Sequence, residues 1–235
     1  MIIPALIFQT EKPTKQLQMK NLLLSSSFVI MLLTGCTFGH YGKLIKTGTG
    51  TSDYTKTLFG DNFNSFLFKT NITVYNKNFS GLLVTKQLSA NDYRVIFTTE
   101  LGMKMFDFEF KDTAFTLHYC VPQFNNPKLL KVIQKDIETL LMSNISNKKK
   151  THYEDKDGFY RIQKLEFPNV ENYYFTEKSS GHLTKIEHAK KRIKKTTFTL
   201  SNYQNDFPDN ILIQHHDLKL KIELNLLKKQ LNIER

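Results

Sequence analysis

The chain has no tryptophan and only two cysteines in 235 residues. Two thiols allow at most one internal disulfide, so a framework of bridges is excluded. Its longest apolar stretch falls short of the ~20 residues with which a helix spans a bilayer comfortably. There is no nucleophile elbow, zinc signature or phosphate-binding loop, so no constellation supports an enzyme. Carboxylates are scarce as well. Against 33 Lys and Arg stand 22 Asp and Glu, a formal charge of +11. Such an excess suits anionic partners: lipid headgroups, lipopolysaccharide, acidic proteins or nucleic acid.

What the chain does have begins at Leu33-Thr34-Gly35-Cys36. Met19-Lys20-Asn21 precedes short apolar stretches at residues 22–24 and 28–33, and small residues follow. A basic start, a short apolar core and small residues before a cut site make a secretory signal. A cysteine directly after Leu-Thr-Gly makes it a bacterial lipobox. The Cys36 thiol is then acylated, the chain is cut before it, and the new amino terminus is acylated too. At roughly 0.8 kcal/mol per buried CH₂, several acyl chains hold a domain on a membrane almost permanently. Residues 1–18, with Glu11-Lys12-Pro13, fit poorly before such a signal and read as a start-site artefact, Met19 being the start. Export makes nucleic acid an unsuitable partner. Losing residues 1–35 removes three lysines and one glutamate, so most of the basic excess stays. Cys120 is then the sole thiol and is expected to be buried as a small hydrophobe.

Residues 36–64 are mostly small and polar, as in Thr47-Gly48-Thr49-Gly50-Thr51-Ser52, and read as a flexible tether. From Phe66 a period of two takes over. Tyr93, Val95 and Phe97 alternate with Arg94, Ile96 and Thr98; Phe106, Phe108 and Phe110 alternate with Asp107 and Glu109; Phe115, Leu117 and Tyr119 alternate with Thr116 and His118. Turn residues separate these runs, which predicts an antiparallel meander with one buried face. One segment has helical spacing: Leu129, Leu130, Val132, Ile133, Ile137, Leu140 and Leu141, with Asn126 as cap and Pro127 in the first turn. Six strands follow, at residues 159–165, 173–177, 183–189, 196–201, 210–214 and 218–226. The total is about eleven strands and one helix. A sheet of that size must curl. With a helix across its open side it encloses an apolar interior. The domain runs over residues 65–228, with a short tail at 229–235.

Candidate chemistry is thin. His215-His216-Asp217 is the densest polar cluster but falls in a hairpin turn, and Glu187 and His188 point to opposite faces of a strand. No metal site is expected. The unusual quantity is aromatic, with 19 Phe. Val95, Phe97, Phe106, Phe108, Phe110, Leu117, Leu129, Ile133 and Ile137 would form either a filled core or, if the sheet stays half open, an acyl-binding wall. The basic runs Lys148-Lys149-Lys150 and Lys190-Lys191-Arg192 with Lys194-Lys195 read as solvated loops or as an electrostatic surface.

The order of motifs resembles the outer-membrane lipoprotein receptor family LolB. Gly81 opens an apolar strand. Asp92-Tyr93-Arg94-Val95-Ile96-Phe97 follows, then the turn Thr99-Glu100-Leu101-Gly102 and the strand around Phe106 and Phe110. Later come Ser201-Asn202-Tyr203, Phe207-Pro208, Ile211 and Leu218-Lys219-Leu220-Lys221-Ile222. The resemblance spans about residues 66–226. It lacks the family's tryptophans and the Asn-Pro of the turn, and the lysine-rich loop at 148–150 has no counterpart. It implies an unclosed antiparallel β-barrel with a helical lid, binding acyl chains of lipoprotein cargo without covalent chemistry. Leu101, beside Gly102, would be an apolar residue used to put cargo into the membrane. The implied partners are a periplasmic LolA-like carrier and outer-membrane phospholipid. The implied protein is a monomeric lipoprotein chaperone with no cofactor beyond the lipid, such as palmitate, on Cys36. It would sit on the outer membrane facing the periplasm. Thr37 agrees, since it is not the aspartate that retains lipoproteins at the inner membrane in enteric bacteria. Another acylated cargo on the same fold, or a structural subunit of an envelope complex, remain alternatives.

Overall fold

The protein is described by a computed structural model covering residues 41–53, 55–59, 63–142, 145 and 148–231. Cys36, the signal at residues 1–35 and the end of the tail lie outside the described residues. Thirteen strands form one antiparallel sheet. In chain order they are β1 (Ile45–Gly50), β2 (Phe63–Val74), β3 (Lys77–Ser89), β4 (Asp92–Thr98), β5 (Lys104–Lys111), β6 (Ala114–Cys120), β7 (Lys150–Glu154), β8 (Tyr160–Phe167), β9 (Val170–Glu177), β10 (Leu183–Lys190), β11 (Ile193–Gln204), β12 (Phe207–His215) and β13 (Leu220–Leu231). The spatial order β1-β7-β8-β9-β10-β11-β12-β13-β2-β3-β4-β5-β6 leaves β1 and β6 as unpaired edges, so the barrel is unclosed. Among the described residues one helix, α1 (Pro127–Leu141), links its two halves.

The period of two builds the concave face. Val95 pairs with Phe108 and Phe97 with Phe106, all turned inward, while Arg94, Asp107 and Glu109 turn out. Most of the buried apolar side chains join one core. Phe66 stacks on Phe207 and Phe106 on Phe108, each at 4.4 Å between ring centres. Gly81 is required where β3 meets β4, because a Cβ there would lie 1.9 Å from the Thr98 carbonyl oxygen. On the opposite face of β8–β10 a smaller cluster forms, with Tyr41 stacked on Tyr173 over Ile162, Phe175 and Ala189.

The helix starts where expected. Asn126 accepts hydrogen bonds from the amides of Lys128 and Leu129, and Pro127 occupies the first position, where no amide is needed. Two strands, β1 and β7, exceed those marked by the sequence, and they pair with each other. The expected tether is therefore corrected: residues 45–50 are an edge strand, and Thr55, Leu58 and Phe59 are buried. Side chains of β1 lie at or near the surface on both faces, so no apolar alternation marks it. Cys120 is half-buried rather than buried, because β6 is an edge. Burial raises its thiol pKa.

Candidate functional site

The interior has two unlike halves. Under α1 the wall is apolar. Ile133, Ile137, Leu140 and Leu141 of the helix face Phe68, Ile72, Val95, Phe106, Ile213 and Leu224 of the sheet. The gap between them is a cavity of about 30 Å³. That is about the share of one water in the liquid, against the several hundred Å³ of a ligand pocket. The helix as placed fills the space against this wall.

Sequence-selected residues divide accordingly. Val95, Phe106, Ile133 and Ile137 line this cavity. Phe97, Phe108 and Phe110 are buried in the surrounding core, and Leu129 is half-buried against it. Leu117 belongs elsewhere. It pairs with Phe108, but β6 is the last strand of the sheet and nothing lies beyond it, so Leu117 is exposed. A register shift at the same point of β6 turns Tyr119 toward the outer side, opposite Asp107.

The other half is more polar and only partly occupied, a cleft of about 1060 Å³ remaining between Leu58, Phe59, Phe66, His182, Tyr203 and Phe207. Residues 51–53 and Thr55 lie along the inner side of β7–β9. Lys150 donates to the Thr51 carbonyl and pairs with Asp53 at 2.7 Å; His152 donates to the Ser52 carbonyl; Gln163 donates to Asp53; and Thr55 meets Thr176 at 2.9 Å. Leu58 and Phe59 then enter the apolar core.

Among the described residues, one polar contact ties the buried face of α1 to the sheet. His215 Nε2 lies 2.8 Å from Asp136 Oδ2, and its Nδ1 lies 3.0 Å from Thr196 Oγ1. All three residues are buried. Burial drives the Asp136 carboxyl above the ordinary carboxylate range despite the hydrogen bond from His215. Removing one partner strands the other in an apolar site. Asp136→Leu is expected to lower unfolding free energy by about 2 kcal/mol, while Asp136→Leu with His215→Phe recovers most of that loss. Urea unfolding of the three proteins measures this. A harmless single change, or a double change worse than the single, contradicts a stabilising role for the pair.

The turn between β4 and β5 projects from the rim. The Thr99 amide donates to the Met103 carbonyl, the Gly102 amide to the Thr99 carbonyl, and the Met103 amide to Thr99 Oγ1. Gly102 has φ +84°, which suits a residue without Cβ. This closure leaves Leu101 98% exposed, so it does not fold back onto the rim. Beneath the turn an outer-face network stiffens the hairpin: Arg94 pairs with Asp107 and Glu109, Lys104 with Asp107, and His118 with Glu109. Burial opposes ionisation of Asp107, but the hydrogen bonds from Arg94 and Lys104 outweigh it and hold its pKa low.

Sequence reading missed Asp136 and His215 as partners and missed residues 51–53 and 55–59 inside the half-barrel. Asp136 interrupts the apolar stripe of the helix, which was a usable signal. Among the described residues no cluster of His, Cys, Asp and Glu could hold a metal ion. No described helix is long and apolar enough to cross a membrane.

No protein-family model matches the chain, and no curated protein matches it. Among solved structures, a domain from Vibrio parahaemolyticus, described as that of an outer membrane lipoprotein-sorting protein, aligns with 72% of this chain and 85% of its own. Its identity is 10% and its TM-score 0.48. A DUF1329 family protein from Desulfovibrio piger aligns with 74% of this chain and 88% of its own, at 8% identity and TM-score 0.41. Neither likeness is close enough to carry a function across.

Proposed function

We propose that the protein is a lipid-anchored acyl-chain receptor of the cell envelope. Tethered through Cys36, it takes the acyl chains of a lipoprotein from a periplasmic carrier of similar fold and delivers them into the outer membrane. The observation that supports this reading is the relation of α1 to the wall beneath it. An amphipathic helix covers a wall of phenylalanines and aliphatic side chains, and one buried polar pair is its only hydrogen-bonded tie there among the described residues. Lifting the helix exposes an acyl-sized apolar surface without breaking a strand. Closed, the helix acts as its own ligand, and the apparent affinity for cargo falls by the fraction of molecules that are open. No covalent step is required. Transfer follows from acyl chains being buried about as well in the protein as in a bilayer, so that a small bias at the membrane decides the direction.

A second reading has one observation in its favour: the space between α1 and the sheet is filled. A structural subunit of an envelope complex would keep it so. The two readings part on whether the unlipidated Cys36→Ser chain binds an acylated probe with one-to-one stoichiometry, and where the acyl chain lies.

A further inference from the structure

The turns of an antiparallel meander fall alternately at its two ends. Here the β2–β3, β4–β5, β8–β9, β10–β11 and β12–β13 turns share one end with the start of β7. The registers show it: Val74 lies opposite Lys77 and Leu220, Leu82 opposite Thr98, Thr196 opposite His215, and Lys150 opposite Leu165. Basic runs that are far apart in sequence therefore converge. Lys77, Lys190, Lys191, Arg192 and Lys219 are exposed at this end and form no salt bridge with a described carboxylate, and Lys149 is exposed there with the Glu166 charge nearby. The carboxylates nearby are already engaged: Glu100 with Lys69, Glu166 and Glu171 with Lys164, and Asp217 with Lys195. The turns and strand ends at the opposite end carry Asp112, Asp155, Asp157 and Asp206 against Lys111, Lys156 and Lys178.

Three separate turns at the basic end also hold apolar tips out of the protein. Leu101 is joined by Ile193, 62% exposed, and Tyr75, 66% exposed. The helix lies at this end too. Phe124, just before it, packs on Phe79 and Phe106, and Asp136 meets His215 at the end of β12.

We propose that this end of the half-barrel docks on a membrane surface bearing anionic phospholipid headgroups. Unpaired cations supply attraction to phosphate, and the tips enter the headgroup boundary, a combination that membrane-surface segments use. An acidic protein would need the charge but not three apolar tips on three turns. Docking needs no cargo, so the inference goes beyond the acyl-receptor reading. It adds an orientation: the membrane meets the end at which α1 covers the interior.

The test uses the full chain with Cys36→Ser, which cannot carry lipid, in co-sedimentation with vesicles. Phosphatidylcholine vesicles are compared with phosphatidylcholine–phosphatidylglycerol vesicles. The chain is expected to pellet with the anionic vesicles alone, and to be released by salt as the screening length shortens from about 10 Å at 0.1 M to about 3 Å at 1 M. Adding Lys190→Gln, Lys191→Gln and Arg192→Gln should weaken binding on the order of a hundredfold, about fivefold per charge. Lys156→Gln with Lys178→Gln, at the opposite end, should leave it unchanged. Equal binding to both vesicle types, no binding to the anionic ones, or an unaffected triple variant overturns the proposal. If circular dichroism shows the triple variant misfolded, the two vesicle types and the salt series decide on the other chain. Uptake of an acylated probe without vesicles is measured in parallel. Vesicle binding without uptake leaves docking standing and removes the receptor reading; uptake without vesicle binding does the reverse.

Discussion

Leu101→Glu is expected to leave folding and acyl binding intact while slowing release of cargo to membranes about ten- to a hundredfold, the worth of one leucine entering an apolar boundary. The side chain is 98% exposed on a turn closed by its own backbone and by Thr99, so no core contact is lost. One leucine contributes about 1.5–3 kcal/mol on burial. That suffices to bias a handover and is too small to anchor a domain. Thermal unfolding, uptake of an acylated probe from a carrier, and its release to liposomes are the three readings. Loss of stability together with uptake would assign Leu101 a packing role. An unchanged release rate would remove it from the membrane step.

Ile133→Ala with Ile137→Ala should free the helix without unfolding the sheet. Both side chains are buried against the concave wall, and each truncation of this kind costs on the order of 2–5 kcal/mol. The strands keep their ladders and most of the phenylalanine core. Amides of residues 130–141 are therefore expected to exchange on the order of a thousandfold faster, with strand amides little changed. Uptake of an acylated probe should become faster as well, because a larger fraction of molecules is open before cargo arrives. If sheet and helix lose protection together, α1 is part of one cooperative core and not a separable cover.

The meander and the helix were legible because their apolar residues recur at periods of two and of three to four. Tyr93, Val95 and Phe97, or Ile133, Ile137 and Leu140, announce which face is buried before any contact is known. The pair β1–β7 was not legible for a physical reason. The β1 side chains all reach solvent to some degree, and the inner side of β7 is Lys150 and His152, satisfied by the chain at residues 51–53. Buried polar positions carry no hydropathy signal. The Asp136–His215 contact joins positions 79 residues apart, which local spacing cannot reveal. The basic runs were plain in sequence, but their meeting at one end follows only from strand order. Leu117 shows the converse. Its alternation is that of an inward residue, and the edge position of its strand leaves it exposed.

On the acyl-receptor reading, an acyl chain takes the place of α1 against the apolar wall. The direct measurement is photo-crosslinking of the Cys36→Ser chain to a fatty-acylated peptide carrying a diazirine near the acyl end, followed by peptide mapping. The expected result is one label per chain, falling on the inner residues of β4 and β5 and on the underside of α1, with Val95, Phe106, Ile133 and Ile137 at its centre. Absence of saturable labelling, or labels confined to the outer face or the turns, would rule out acyl binding beneath α1 and leave the half-barrel as a structural module.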